Sequence, residues 1–313
     1  MNKVLGDPLP PELADALSEI SAEETKPTPK HPIGLHHRGS VEFMNGLPAH
    51  TTTPGYRPTT LPFRARPKQK ERITSPHDAR VLDLIVTLAD TRYTFYDPVY
   101  PWSAFGRVTS GRFPEGSFVG ASGVMVGRRH LLTSSRIVGW EPNGPTDWLT
   151  FTPSYSFGAA PFGSAYAVEI YAWRQLDYFT DDARHDLLAN DYAVVVLDHA
   201  IGESTGWLGS IAYNTTWNNQ GYWSFIGYSS DFGSGQEPVF QNLAAMTDVT
   251  VPPGSGPPSN ALLMSYAAWM GEFPEYEGGG PFFGWWSGDV GPRVVGVDTV
   301  YSEVFPPTSP RTY

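Results

Sequence analysis

From residue 81 onward, short apolar runs alternate with clusters of glycine, proline and small polar residues. Residues 118–126, 148–152, 166–173, 191–197, 222–228 and 294–299 carry the β-branched and aromatic residues of strands. The run Asp191-Tyr192-Ala193-Val194-Val195-Val196-Leu197 is too short to favour a helix. Residues 80–88 fit a strand or a short helix equally well. Breakers separate the runs: Pro142-Asn143-Gly144-Pro145, Ser234-Gly235, and the proline–glycine stretch 252–258. Regular strand-and-turn spacing predicts an all-β body, barrel or sandwich, without choosing between them. Residues 1–80 follow another pattern. They hold 12 of the 30 prolines and little hydrophobic periodicity. One short amphipathic helix is expected within 10–20, with Leu13, Leu17 and Ile20 on one face. Residues 25–76 are expected to be extended and mostly unstructured. The predicted organisation is a Pro-rich arm, 1–80, followed by a β domain, 81–313.

Composition supports this division. Apolar residues make up 40% of the 313 and aromatics 14%, enough for a sizeable core, while charged residues are only 17%. Glycine (32) and proline (30) suit a turn-rich β protein and disfavour a helical bundle. The chain has no cysteine, which removes disulfides and cysteine-based metal sites. No run of 18 apolar residues predicts a membrane span. The first residues, Met1-Asn2-Lys3-Val4-Leu5-Gly6-Asp7-Pro8, lack the apolar centre of a signal peptide, so the sequence as it stands reads as cytosolic or without its leader. The sequon Asn214-Thr215-Thr216 matters only after secretion.

Charge divides the same way. Residues 1–80 balance at +2 and residues 81–313 at −13, giving the net −11. The acidic body should repel nucleic acid and anionic membranes. The basic run Arg64, Arg66, Lys68, Lys70 and Arg72 reads as a solvated linker. No P-loop, dinucleotide fingerprint or metal-binding motif occurs, and no cofactor is expected. The eight histidines are scattered. His36-His37 falls in the arm, and His130 and His185 read as turn or surface residues.

Three stretches carry the candidate chemistry. Ser122-Gly123-Val124-Met125-Val126-Gly127 precedes Leu131-Leu132-Thr133-Ser134-Ser135-Arg136. Asn190-Asp191-Tyr192-Ala193-Val194 follows at 55 residues from Arg136 to Asp191, and Glu277-Gly278-Gly279-Gly280-Pro281-Phe282-Phe283 places Gly278 a further 87 on. Each stretch alone is weak, since triple glycine is common in loops. In combination, with the strand-like Arg293-Val294-Val295-Gly296-Val297 behind them, they resemble the trypsin-like serine proteases over about residues 85–305. The stretch Pro101-Trp102-Ser103-Ala104-Phe105-Gly106-Arg107-Val108 looks like the start of glutamyl-endopeptidase-like members. The resemblance implies two packed six-stranded β-barrels with a site in the cleft between them. It also implies that the arm is a propeptide, with a processing site in the 64–72 stretch, and suggests secretion.

The family's triad is degenerate in this chain. Where the family has histidine, aspartate and serine, the sequence reads Arg136, Asp191 and Gly278. Glycine has no side chain to attack a carbonyl, and arginine stays protonated and cannot be a general base. The oxyanion loop reads Tyr276, Glu277 and Gly278, with a bulky residue where the family places a glycine. The expectation is a pseudoprotease, an inactive endopeptidase homologue. It would bind a peptide, protein or carbohydrate in the old cleft, where Trp269, Trp285, Trp286 and Tyr276 offer aromatic surface. Arg136 and Asp191 are expected to pair. The alternative is a hydrolase with relocated chemistry at Ser134, Ser135 or Ser287.

Overall fold

The computed structural model describes residues 34–37, 52–60, 92–94, 96–111, 119–138, 140, 146–173, 176, 189–229, 233–249, 261–265 and 278–299. The arm supplies β1 (Gly34–His37), and β2 (Tyr93–Thr94) precedes the main strands. Next come β3 (Phe105–Gly111), β4 (Val119–Met125), β5 (His130–Thr133), β6 (Trp148–Pro153), β7 (Ala165–Ala172) and β8 (Ala193–Leu197). The second half adds β9 (Gly209–Ser210), β10 (Trp223–Gly227), β11 (Val239–Val249), β12 (Ala261–Ser265), β13 (Pro281–Gly284) and β14 (Arg293–Val297). Helical structure among the described residues is limited to single turns such as Gly202–Thr205. None is long and apolar enough to cross a membrane.

Six of these strands close on themselves. β3 pairs with β4 and β6, β4 with β5, β5 with β8, and β7 with both β6 and β8, all antiparallel. Closure removes the free edges that an open sheet would leave. Alternation fills the inside: Ala193, Val195 and Leu197 are fully buried, while Val194 and Val196 are half-buried. The second sheet runs β12-β11-β10-β13-β14-β9, with β2 added to β11. It is an open path among the described residues, where the resemblance implies a second closed barrel of six strands. All five residues of β10 are buried, because the strand lies between two cores. Ile226 joins the barrel core together with Phe240, Phe283 and Val294, and Trp223 and Phe225 join the smaller cluster with Met246 and Phe282. Phe105 of β3 and Phe283 of β13 meet at 5.0 Å between centroids, tying barrel to sheet. The all-β class is as expected, and the layout is consistent with the trypsin-like two-barrel fold.

The arm meets the body at two places. β1 lies parallel to β7, with Gly34 opposite Glu169 and His37 opposite Ala172, on the edge that β6 leaves after Ala165 and Tyr166. Residues 52–60 also sit on the body, where Thr53 bridges Ser210 and Tyr56 bridges Trp207. A proline-rich segment can still be ordered when a strand edge supplies partners for its remaining amides, and periodicity does not report that. The helix expected within 10–20 and the run 80–88 lie outside the described residues.

Candidate functional site

Asp191 lies two residues before β8 with its side chain fully buried. It gathers donors from three separate segments. Ser134, just after β5, donates its hydroxyl to Asp191 Oδ1 at 2.9 Å, and the Arg136 backbone N–H donates to the same oxygen at 3.1 Å. Arg136 Nε donates to Oδ2 at 3.0 Å. Thr299, two residues beyond β14, donates its hydroxyl to Oδ2. The Arg136 side chain is nine-tenths buried, so this is an interior ion pair. Burial pushes the Asp191 carboxyl above its ordinary range. Against that push act, in order, the Thr299 hydroxyl, the Arg136 guanidinium, the Ser134 hydroxyl and the Arg136 amide.

Local structure explains how Arg136 arrives there. The single helical turn Ser135–Val138 follows β5 and turns the Arg136 amide back toward the carboxylate. Trp140 Nε1 donates to the Ser135 carbonyl at 3.1 Å, and Ser110 Oγ donates to the Ile137 carbonyl at 2.6 Å. Both bonds hold that turn against the barrel.

The glycine loop lies against the same segment. A side chain at Gly278 would meet Ser134 Cβ at 3.3 Å and the Thr299 carbonyl at 3.2 Å, so Gly278 adjoins the network around Asp191. Gly279 has φ +97°, and a Cβ there would drive into the Ser122 carbonyl and the Thr133 hydroxyl. Glycine is therefore required at 279 twice over, by backbone conformation and by space. The loop is fixed by backbone bonds: Ser122 N–H to the Gly278 carbonyl at 3.2 Å, Gly279 N–H to the Asp298 carbonyl at 2.7 Å, and Asp298 N–H to the Gly280 carbonyl at 2.7 Å.

Arg136, Asp191 and Gly278 thus come together around Ser134, although 142 positions separate the first from the last. Tyr276, Glu277, Trp269 and His185 lie outside the described residues. Trp285 is 56% exposed and meets Trp102 at 6.4 Å, whereas Trp286 packs against Trp217 and Trp223 of the smaller core. The two neighbouring tryptophans therefore do not share one face. His130 is exposed on β5. Ser134 and Ser135 are fully buried, and Ser287 is exposed. Two carboxylate partners escaped sequence reasoning. Ser134 is read there as an alternative nucleophile, and Thr299 follows a strand 108 positions from Asp191 with no local motif around it. Among the described residues, no group of three or more acidic, histidine or cysteine side chains is arranged to hold a metal ion.

No protein-family model and no curated protein sequence matches this chain. Solved structures do resemble it, among them trypsin-like serine proteases. The protease Anisep from Arthrobacter nicotinovorans is 20% identical over 64% of this chain and 84% of its own, with a TM-score of 0.42. A Glu endopeptidase is 19% identical over 67% and 94%, with a TM-score of 0.40. Human heparin binding protein is 14% identical over 67% and 89%, with a TM-score of 0.43.

Proposed function

We propose that this chain is a trypsin-like serine protease homologue without protease chemistry, whose cleft serves binding or regulation. The ligand class is a peptide, protein or carbohydrate. One observation carries the reading: the buried pair Arg136–Asp191, Nε to Oδ2 at 3.0 Å. Acyl transfer by a triad needs a neutral base between carboxylate and nucleophile. Here the group on the carboxylate is a guanidinium that cannot accept a proton, and the position beside it, Gly278, has no side chain. Binding does not depend on those groups, so losing them leaves a cleft able to hold a ligand.

The alternative, a hydrolase with relocated chemistry, gains no support from Ser134 or Ser135. Ser134 donates to Asp191 and is fully buried, and Ser135 is engaged with Trp140 Nε1 at 3.1 Å. The test is incubation with a broad activity-based serine-hydrolase probe, alongside casein and glutamyl, arginyl and aromatic peptide substrates. The expected result is no labelling and no turnover. Labelling at a serine of this chain, with turnover abolished by a serine-directed inhibitor, would overturn the reading.

A further inference from the structure

The segment Thr53-Pro54-Gly55-Tyr56 meets the body at a place with no part in the triad positions. Thr53 N–H donates to the Ser210 carbonyl at 3.0 Å, and Ser210 N–H returns to the Thr53 carbonyl at 3.2 Å and to its hydroxyl at 2.9 Å. The two hydroxyls, Thr53 Oγ1 and Ser210 Oγ, lie 2.8 Å apart. Three residues on, Tyr56 N–H donates to the Trp207 carbonyl at 2.9 Å and Trp207 N–H to the Tyr56 carbonyl at 3.0 Å. The Tyr56 ring stacks on Trp207 at 4.4 Å and 27°. Between these two pairings sits Pro54, which has no amide to leave unmatched.

The surface beneath is cut to fit this segment. A Cβ at Gly55 would lie 3.0 Å from both Gly209 N and the Trp207 carbonyl, and 3.2 Å from the Tyr100 hydroxyl. On the body side, a Cβ at Gly209 would drive into the Thr53 carbonyl, and one at Gly206 would come within 2.7 Å of the Tyr56 carbonyl. Buried Tyr100 forms the floor and donates its hydroxyl to the Trp207 carbonyl at 3.2 Å. Glycine on both sides lets two backbones approach closely, while the hydroxyl pair and the ring stack select which residues enter.

We propose that the Trp207–Ser210 edge is a peptide-binding seat, read by a Thr–Pro–Gly–Tyr segment, that this chain's own arm occupies in cis. The arm is then a retained ligand of the body and not a leader released by one cut. A break in the chain between residues 60 and 92 leaves the N-terminal fragment bound through the seat, in addition to its β1 pairing with β7, so protection at Thr53 and Tyr56 reads the seat itself. This inference stands apart from the reading of the triad positions and does not fall with it.

The full chain tests it by residue-resolved amide hydrogen exchange, before and after cleavage at a site-specific protease sequence placed within 61–72. The expected result is that the Thr53 and Tyr56 amides exchange at least about 100-fold slower than in a free peptide of the same sequence. That protection should persist after cleavage, with fragment and body eluting together. Gly55→Val should abolish protection at Thr53 and Tyr56 while Val194 and Val195 of the barrel keep theirs, which separates ejection of the segment from unfolding. Free-peptide exchange rates at Thr53 and Tyr56 in the intact chain would overturn the proposal. So would departure of the fragment on cleavage, or unchanged protection in Gly55→Val.

Discussion

Replacing Arg136 by alanine probes the interior of the site directly. The Asp191 side chain is fully buried, and breaking a buried pair by removing one partner ordinarily costs about 3–5 kcal/mol. In this site the loss is partial. Arg136→Ala removes the guanidinium but keeps the backbone amide at 3.1 Å, the Ser134 hydroxyl at 2.9 Å and the Thr299 hydroxyl. Three donors stay on the carboxylate, so the lower end applies, about 3 kcal/mol near neutral pH. The pH dependence follows from the sign of the shift. Burial already holds the Asp191 carboxyl above its ordinary value, and removing a neighbouring cation raises it further. A carboxyl with a raised folded-state pKa favours folding while protonated, and that contribution is lost as pH rises through the folded value. The deficit of Arg136→Ala relative to the parent should therefore be small near pH 4. It should grow once the pH passes the parent's own raised folded-state value, by at most about 1.4 kcal/mol per pH unit, and level off above the variant's. Urea unfolding followed by tryptophan fluorescence at pH 4 to 8 measures it, with an unchanged m-value marking a pure stability effect. Asp191→Ala and the double variant complete a cycle in which the double should cost less than the sum. A deficit independent of pH, or additive losses in the cycle, would refute the reasoning.

Further outcomes follow from the same structure. Gly279→Ala should destabilise by roughly 2–3 kcal/mol, because φ +97° strains any side chain and the space is filled. Gly158→Ala, at φ +82° but facing open space, should cost about 1 kcal/mol by the same unfolding assay. Burial holds the Tyr100 phenol up at about 12, so ultraviolet titration should show a late phenolate component that Tyr100→Phe removes. Its sign makes the associated stability present below pH 10 and lost as pH rises from 10 toward 12. Arg136→His combined with Gly278→Ser should yield hydrolysis of an activated ester above either single variant, measured by release of the leaving group.

Much of the fold was legible because its strands obey simple periodicity. β6, β7, β8 and β10 fall within a residue or two of the runs read from the chain, since each buries alternate residues or both faces. The longest strand among the described residues, β11, escaped for a physical reason. Leu243 adopts φ +60° and stands 68% exposed, and the pairing with β10 slips between Phe225 opposite Gln241 and Trp223 opposite Ala244. A bulge of this kind places an apolar residue in solvent and shifts the alternation beyond it, while Gln241 is buried. β1 and the 52–60 segment escaped because their partners lie far along the chain, at β7 and at Trp207 to Ser210. Backbone pairing of that range leaves no local trace in composition.

The site was legible to the extent that its residues sit in ordered motifs, and illegible where they act through distance. Arg136, Asp191 and Gly278 could be located through the resemblance of their motifs to a known family, but the carboxylate's remaining partners, Ser134 and Thr299, could not. Those partners change what the aspartate means. A buried carboxylate with a single arginine would be an isolated pair, costly to desolvate and easily replaced by apolar residues. With two hydroxyls and a backbone amide as well, Asp191 joins the end of β5, the segment before β8 and the segment after β14 at one point. Removing it would leave Ser134, Thr299 and the Arg136 amide without their shared acceptor inside the protein. Asp191 therefore has a structural reason to be present that does not require catalysis. That is why an aspartate in this position is poor evidence for an active enzyme, and why the identity of the groups facing it carries the functional argument.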